Sequence, residues 1–185
     1  MKMAIVVVVL SLVLAGSVFA VVDPDPNKMG LYFDENADLI DVYSYEFTPA
    51  YLVVTNPAFD AIKGLECYLD WDESVCAFQG LELPAAGFNL GDHHNVVIGL
   101  AAPLATTEAT VMATYTLFST GMTYFTLAAA EVPSIEGDLP VVIDGEDNIF
   151  QLGLAFGSGN VCAILNSPPD PVLGETWGGV KSLYR

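Results

Sequence analysis

One short acidic segment, residues 144–148, combines the side chains that bind calcium most readily. Calcium takes six to eight oxygen ligands, which carboxylate and amide side chains supply. Gly145 allows the tight turn that would bring such side chains together. The segment lacks the spacing of an EF-hand loop, and a plain solvated turn is the alternative interpretation. Two other acidic clusters, Asp34-Glu35-Asn36-Asp38 and Asp70-Asp72-Glu73, are alternative calcium sites. The first choice is the segment 144–148, with four predicted ligands: Asp144, Glu146, Asp147 and Asn148.

The two histidines of the chain are adjacent, at His93 and His94. Neighbouring residues on a strand point to opposite faces, so one metal ion would not easily use both imidazoles. Asp92 would be able to join one of them. The sequence favours an exposed loop edge over a metal site at this position.

The sequence carries no recognisable catalytic set. It has no Gly-x-Ser-x-Gly motif, no phosphate-binding loop and no clear Ser/His/Asp order. Paired carboxylates hydrolyse glycosides only across a cleft of defined width, and the sequence shows none. We therefore predict a non-enzymatic protein without catalytic residues. Aromatic residues such as Tyr43, Tyr45 and Tyr124 would suit a sugar-binding platform, although such residues more often form core or cross-strand pairs.

Three cysteines, an odd number, are the remaining reactive side chains. We expect Cys67 on the core face of one strand and Cys162 in the last strand. A Cys67–Cys162 bridge would close a loop of about 95 residues and stabilise the fold by roughly 4 kcal/mol. Cys76 is the alternative partner for either one, and three reduced, buried thiols are the other outcome. Cys67–Cys162 is the predicted bridge, and these alternatives stay open.

The chain is strongly acidic, with 23 Asp and Glu against 5 Lys and Arg in 185 residues. Residues 1–20 have the pattern of a signal peptide, with Lys2, an apolar core and a cleavage site at Val18-Phe19-Ala20. Cleavage removes Lys2, so four basic residues remain against 23 acidic ones, a net charge of −19. Such a charge repels nucleic acid and anionic membranes. No other segment is long enough to span a bilayer, so we predict a secreted protein.

The rest of the chain is organised around residues 64–78. Apolar side chains alternate at Leu65, Cys67, Leu69 and Trp71, which is the pattern of a strand with one buried face. A polar break follows, and a second apolar run begins at Val75. The segment therefore predicts a strand, a tight turn and another strand. Similar short runs recur along the chain, with turn signals every ~8–12 residues.

These runs predict an all-β protein of two packed antiparallel sheets, a jelly-roll or Ig-like sandwich of about nine strands. We expect the sandwich at residues 30–166, after the signal peptide at 1–20 and a linker at 21–29. Its predicted strands include residues 39–47 and a final hairpin of 149–156 with 161–165. Residues 167–185 are expected to form a proline-rich linker and a short amphipathic segment.

Residues 64–75 resemble a signature of the cohesin family and its relatives. That signature is a Gly, alternating apolar residues, an aromatic-Asp pair, a polar dipeptide and an aliphatic residue, here ending in Trp71-Asp72, Glu73-Ser74 and Val75. The run VMATYTLF followed by Ser-Thr-Gly extends the resemblance, which covers about residues 50–130. It implies a nine-stranded jelly-roll sandwich, similar also to carbohydrate-binding modules, whose partner is a dockerin module. It places no individual contact residue.

A second resemblance covers more of the chain. The pieces GLYFDE, AYLVVTNP, VPSIEG, VIDG and TWGGVKSLYR are similar to a group of secreted proteins encoded by uncultured bacteria. It implies a bacterial protein that is extracellular or at the cell surface. We predict a non-catalytic binding or surface-assembly module that recognises an extracellular protein. The alternative is a carbohydrate-binding module for a polysaccharide, with calcium bracing its β-sandwich.

Overall fold

The structure, a computed structural model, describes residues 25–84, 87–155 and 160–167. Within these ranges the chain forms thirteen β-strands and no helix: β1 Lys28–Tyr32, β2 Asp41–Val42, β3 Thr48–Thr55, β4 Ala61–Asp70, β5 Cys76–Glu82, β6 Gly87–Asn89, β7 Asn95–Ala105, β8 Ala109–Ser119, β9 Thr123–Ala128, β10 Val141–Asp144, β11 Ile149–Gln151, β12 Gly153–Leu154 and β13 Val161–Leu165. The predicted signal peptide, part of the linker and residues 168–185 lie outside the described residues. In the part of the chain that is described, no helix is long and apolar enough to cross a membrane.

The strands form two sheets. One has five strands in the order β12-β1-β3-β8-β5, and the other has eight, with the path β11-β10-β4-β9-β13-β2 and with β7 and β6 added beside β4. The pairs β1/β12 and β2/β13 are parallel, and the remaining pairs are antiparallel. The predicted all-β, two-sheet sandwich is confirmed. The extra strands beyond about nine are short pieces of two or three residues that extend the sheets.

The hydrophobic core lies between the two sheets, because the long strands alternate between buried and more exposed residues. On β4, Leu65, Cys67 and Leu69 are fully buried, as the alternating pattern predicts. On β8, Tyr115 and Leu117 are fully buried in the same core cluster. Burying one such large apolar side chain contributes about 1.5–3 kcal/mol. The two sheets are therefore held together mainly by the inner faces of their longest strands.

The turn after β4 carries the chain from one sheet to the other, because β4 and β5 belong to different sheets. The Asp72 carbonyl accepts a hydrogen bond from the Cys76 amide at 2.9 Å. The Asp72 carboxylate accepts one from the Ser74 amide, also at 2.9 Å. The Trp71 indole donates to the Cys76 carbonyl at 2.9 Å. The predicted strand, turn and strand are confirmed, as a corner between sheets rather than as a paired hairpin.

Two predictions about individual strands are wrong. Residues 39–47 contain only the two-residue strand β2, and the aromatic side chains that follow it are exposed. The described strands between residues 149 and 165 do not pair with one another as a hairpin, because β11 pairs with β10, β12 with β1, and β13 with β9. The chain adds each of these short strands to a different partner, and alternation within one strand does not identify the partner.

Candidate functional site

The structure brings two imidazoles and a carboxylate together beside the corner between the sheets. His93 and His94 lie in the loop before β7, and Glu73 lies in the turn between β4 and β5. One Glu73 carboxylate oxygen, Oε1, is 2.6 Å from His93 Nε2 and 3.2 Å from His94 Nε2. The two imidazole ring centroids are 4.6 Å apart. This histidine cluster (Glu73, His93 and His94) is the most concentrated set of metal-ligating side chains among the described residues.

The backbone of the loop explains why both rings reach the same carboxylate. The Asp92 carboxylate accepts hydrogen bonds from the amides of His94 and Asn95, each at 2.7 Å. The Tyr115 hydroxyl donates to the His93 carbonyl at 3.2 Å. These bonds hold the two histidines in a turn before the strand, so the alternation of side chains along a strand does not apply. The premise that the two imidazoles point to opposite faces is therefore wrong, and both rings approach the same carboxylate oxygen.

Aromatic side chains cover the faces of both imidazole rings. His93 stacks on Phe78, with ring centroids 4.5 Å apart and an interplanar angle of 8°. The ring centroid of His94 is 4.2 Å from that of Trp71 and 5.9 Å from that of Tyr68. The side chains of His93 and His94 are 30% and 17% exposed, whereas that of Glu73 is 58% exposed. The two imidazoles are therefore fixed in place, and the carboxylate is open to water.

Hydrogen bonds set the charge of the carboxylates in this region. The hydrogen bond from His93 lowers the pKa of Glu73. Backbone amides of Asn95 and His94 lower the pKa of Asp92. Both carboxylates are therefore ionised at neutral pH. The cluster presents two nitrogen ligands and one anionic oxygen at a half-buried position.

Sequence reasoning missed the contribution of Glu73, because this residue lies in a separate turn far from the histidines along the chain. One local signal was available for the histidines themselves. Asp92 stands directly before them, and aspartate is a residue type that caps tight turns by accepting backbone hydrogen bonds. That signal places His93 and His94 in a turn, although it does not identify the third side chain.

The four residues of the predicted calcium site come together in the turn between β10 and β11. Asp144 Oδ1 accepts hydrogen bonds from the amides of Glu146 and Asn148, both at 2.8 Å, and Oδ2 accepts one from the Asn148 side chain at 2.9 Å. These bonds, led by that of the Asn148 side chain, lower the pKa of Asp144. Asp147 forms an ion pair with Lys63 at 2.7 Å. Calcium binding stays a prediction. The hydrogen bonds to Asp144 and the ion pair of Asp147 with Lys63 already hold the turn together without an ion.

The three cysteines are buried free thiols in the structure, so the predicted Cys67–Cys162 bridge is not formed. Strand β9 lies between β4 and β13, which carry these two residues. Neighbouring strands are about 4.8 Å apart, so two strand spacings separate the two Cα atoms by at least about 9–10 Å, beyond the ~7 Å that a disulfide spans. Burial raises the pKa of Cys162 to about 12 and that of Cys76 to about 11. The sequence does not show that a strand comes between Cys67 and Cys162.

The three tyrosines that would suit a sugar-binding platform, Tyr43, Tyr45 and Tyr124, do not form one coplanar surface. The rings of Tyr43 and Tyr45 meet edge to face, with centroids 5.3 Å apart and planes at 82°. Their hydroxyls are 3.4 Å apart. The Tyr124 hydroxyl donates to the sulfur of Met122 instead of joining this pair. The perpendicular rings favour a locally packed pair over the coplanar platform that would stack on a sugar.

Comparison with known proteins identifies the fold without identifying a family. No protein-family model matches the sequence, and no curated protein matches it significantly. The sixth cohesin of scaffoldin B from Acetivibrio cellulolyticus, solved in complex with a Cel5 dockerin, is similar with a TM-score of 0.51 at 8% identity. The similarity covers 75% of this chain and 96% of that module. A type II cohesin domain from the cellulosome of the same species has a TM-score of 0.49 at 14% identity, covering 77% of this chain and 96% of that one. The β-sandwich is therefore cohesin-like, as the resemblance in the sequence implies.

Proposed function

We propose that this chain is a secreted, non-catalytic module that binds another extracellular protein. The observation that carries the proposal is its cohesin-like sandwich, which matches nearly the whole of a cohesin module solved with a dockerin bound. A shared fold is an argument by analogy, since one fold hosts many functions. The first partner to test is therefore a dockerin-type module.

The outer face of the five-stranded sheet supports a protein partner. Thr114 and Thr116 of β8 lie on this face, paired across the sheet with Tyr51 and Pro49 of β3. On the other side of β8, Ala77 of β5 is paired with Phe118. An antiparallel sheet commonly packs one face on the core and leaves the other open. The threonine hydroxyls and the rings of Tyr51 and Phe118 give this face both polar and apolar groups with which to contact a protein partner.

One carboxylate-lined cleft supports a non-catalytic role. This cleft, of about 430 Å³, lies between residues 58–61 and 144–146. A glycosidase acid needs a raised pKa so that it carries a proton at neutral pH. The pKa of Asp144, which lines the cleft, is lowered instead by hydrogen bonds, first from Asn148. The buried cysteines have raised pKa values and are therefore poor nucleophiles.

Calorimetric titration of the chain expressed from residue 21 with dockerin modules tests the proposal. We expect saturable 1:1 binding to a dockerin-type partner and no retention on insoluble polysaccharides. Thr116→Arg on the five-stranded sheet and Thr126→Arg on the eight-stranded sheet form a matched pair, because both residues are half-buried threonines. An arginine within the binding face should weaken binding at least tenfold, while the other variant retains it. Binding to polysaccharide with no response to any dockerin would favour the carbohydrate-binding alternative.

Export is tested separately by expressing the whole chain in a bacterium with a secretion pathway. We expect the released protein to begin at Val21, because the small-residue cleavage site ends at Ala20. N-terminal sequencing of the released protein gives the answer. A protein that stays in the cytoplasm with residues 1–20 intact would contradict the extracellular assignment.

A further inference from the structure

We propose that Glu73, His93 and His94 bind a divalent transition metal ion of the zinc class. Their three ligand atoms all lie within 4.8 Å of one another. Zinc bonds of about 2.0–2.1 Å in a tetrahedral site place neighbouring ligand atoms about 3.3 Å apart. His94 Nε2 and Glu73 Oε1 are already 3.2 Å apart. A small rotation of the exposed Glu73 side chain would bring its 2.6 Å contact with His93 to the same separation.

The hydrogen bond on the far side of His94 orients that ring for metal binding. His94 Nδ1 is 2.6 Å from the carbonyl oxygen of Leu69. A carbonyl only accepts hydrogen bonds, so Nδ1 carries a proton and, in the neutral ring, Nε2 presents its lone pair to Glu73. Histidine ligands of metals typically donate their other ring N–H to such a carbonyl, which fixes the tautomer.

The same bond leaves an electrostatic conflict that a cation relieves. In neutral His94 the Nε2 lone pair faces the Glu73 carboxylate oxygen at 3.2 Å, and both atoms are acceptors. A cation between them, either a proton or a metal ion, makes this contact favourable. A metal ion would serve both imidazoles together, whereas one proton serves only one nitrogen.

The donor set and its surroundings determine which ion fits. Two imidazole nitrogens and one carboxylate oxygen suit zinc and its transition-metal neighbours, whereas calcium and magnesium prefer oxygen ligands. The stacking of His93 on Phe78 and the contact of His94 with Trp71 hold both rings before an ion arrives. Three protein ligands leave the fourth tetrahedral position for water. The strong negative charge of the chain raises the local concentration of cations.

Calorimetric titration of the metal-free chain, expressed from residue 21, with Zn²⁺ tests the proposal. We expect one equivalent of Zn²⁺ to bind in the presence of excess Ca²⁺ and Mg²⁺. Three variants each remove one ligand: Glu73→Gln, His93→Ala and His94→Ala. Loss of an outer-shell partner alone costs 10–100-fold in metal affinity, so each variant should weaken binding by at least about tenfold. Glu82→Gln, at the exposed end of β5, is the matched control for the loss of one negative charge.

Fluorescence gives a second readout that reports position. The Trp71 ring centroid is 4.2 Å from that of His94, so a paramagnetic ion such as Cu²⁺ at the cluster should quench Trp71 emission. Trp177 is the other tryptophan of the chain, and Trp177→Phe provides the background in which Trp71 is the sole emitter. We expect the quenching of Trp71 emission to saturate at one equivalent of Cu²⁺. In Glu73→Gln, the Cu²⁺ concentration that gives half of the full quenching should be at least ten times higher.

Two results would overturn the proposal. If Zn²⁺ bound the ligand variants as tightly as the Glu82→Gln control, binding would be adventitious and spread over the acidic surface. If no saturable binding occurred, a shared proton would be the only cation that joins Glu73 to the imidazoles. Should His94→Ala fail to fold, Glu73→Gln still decides the question, because its side chain is 58% exposed and its replacement leaves the core intact.

Discussion

Replacing Trp71 with phenylalanine tests the energetic importance of the corner between the sheets. The Trp71 side chain is 6% exposed, and its indole N–H donates to the Cys76 carbonyl at 2.9 Å. Phenylalanine has three fewer ring atoms, and the nitrogen donor is one of them. Losing two buried carbon groups costs about 1.6 kcal/mol at ~0.8 kcal/mol each. Leaving the buried carbonyl without its donor costs a further ~1 kcal/mol or more.

We therefore expect Trp71→Phe to lower the free energy of unfolding by about 3 kcal/mol, which corresponds to a fall in Tm of roughly 10 °C. Urea unfolding followed by far-ultraviolet circular dichroism at pH 7 measures this loss. Tyr124→Phe is the matched control, since it also removes one polar group from an aromatic ring but at an exposed position, and should cost less than ~0.5 kcal/mol. A loss below 1 kcal/mol for Trp71→Phe would refute the assignment of this bond and its packing to the core.

Three further outcomes follow from buried or charged groups. The three buried cysteines should resist a thiol reagent in the folded chain. After unfolding without reductant, all three thiols should react with the reagent. If only one thiol reacted, the other two cysteines would form a disulfide. Asp144 has a pKa below its ordinary value of 3.8. Its ionised carboxylate therefore stabilises the fold at neutral pH. That stabilisation is lost as the pH falls from the ordinary pKa through the lower pKa of the folded state. Melting temperatures measured from pH 7 to pH 2 should therefore fall below about pH 4, and less steeply in Asp144→Asn. The buried Asn166 accepts a hydrogen bond from the Ser44 amide at 2.7 Å and donates to the Ser119 carbonyl at 3.2 Å, so Asn166→Ala should cost about 2 kcal/mol in urea unfolding. A loss below ~0.5 kcal/mol would contradict that role.

The sequence predicted the strands that bury one face along their whole length. In β4 and β8 the alternation of apolar and polar residues is long enough to specify a strand and its inner face, and the structure agrees at Leu65, Leu69 and Leu117. The resemblance to cohesins depended on the same segments, so fold class and resemblance were found together. The sequence did not predict β2, β6, β11 and β12 as separate strands, because two or three residues carry too little periodicity to identify a strand.

The site was harder to predict, because its parts come together only through tertiary structure. Glu73 belongs to a turn, and the histidines belong to a loop before β7. The sequence analysis assumed that His93 and His94 are neighbours on a strand, with side chains on opposite faces. Under that assumption the two imidazoles could not meet at one carboxylate. The acidic segment 144–148 shows the converse case. Its composition suits calcium, whereas in the structure its carboxylates bind the amides of their own turn and Lys63.

The register between β4 and β7 accounts for the position of the histidine cluster. Tyr68 is paired with Asn95, and the ladder continues one step further, where the Leu69 amide donates to the His94 carbonyl at 2.9 Å. The His94 ring then returns a hydrogen bond to the Leu69 carbonyl. Leu69 is four residues before Glu73, and the sheet-crossing corner turns the chain back so that Glu73 meets that ring. Because a one-residue slip would turn buried Leu69 away from the core, the packing that fixes the fold also fixes the distance between the carboxylate and the imidazoles.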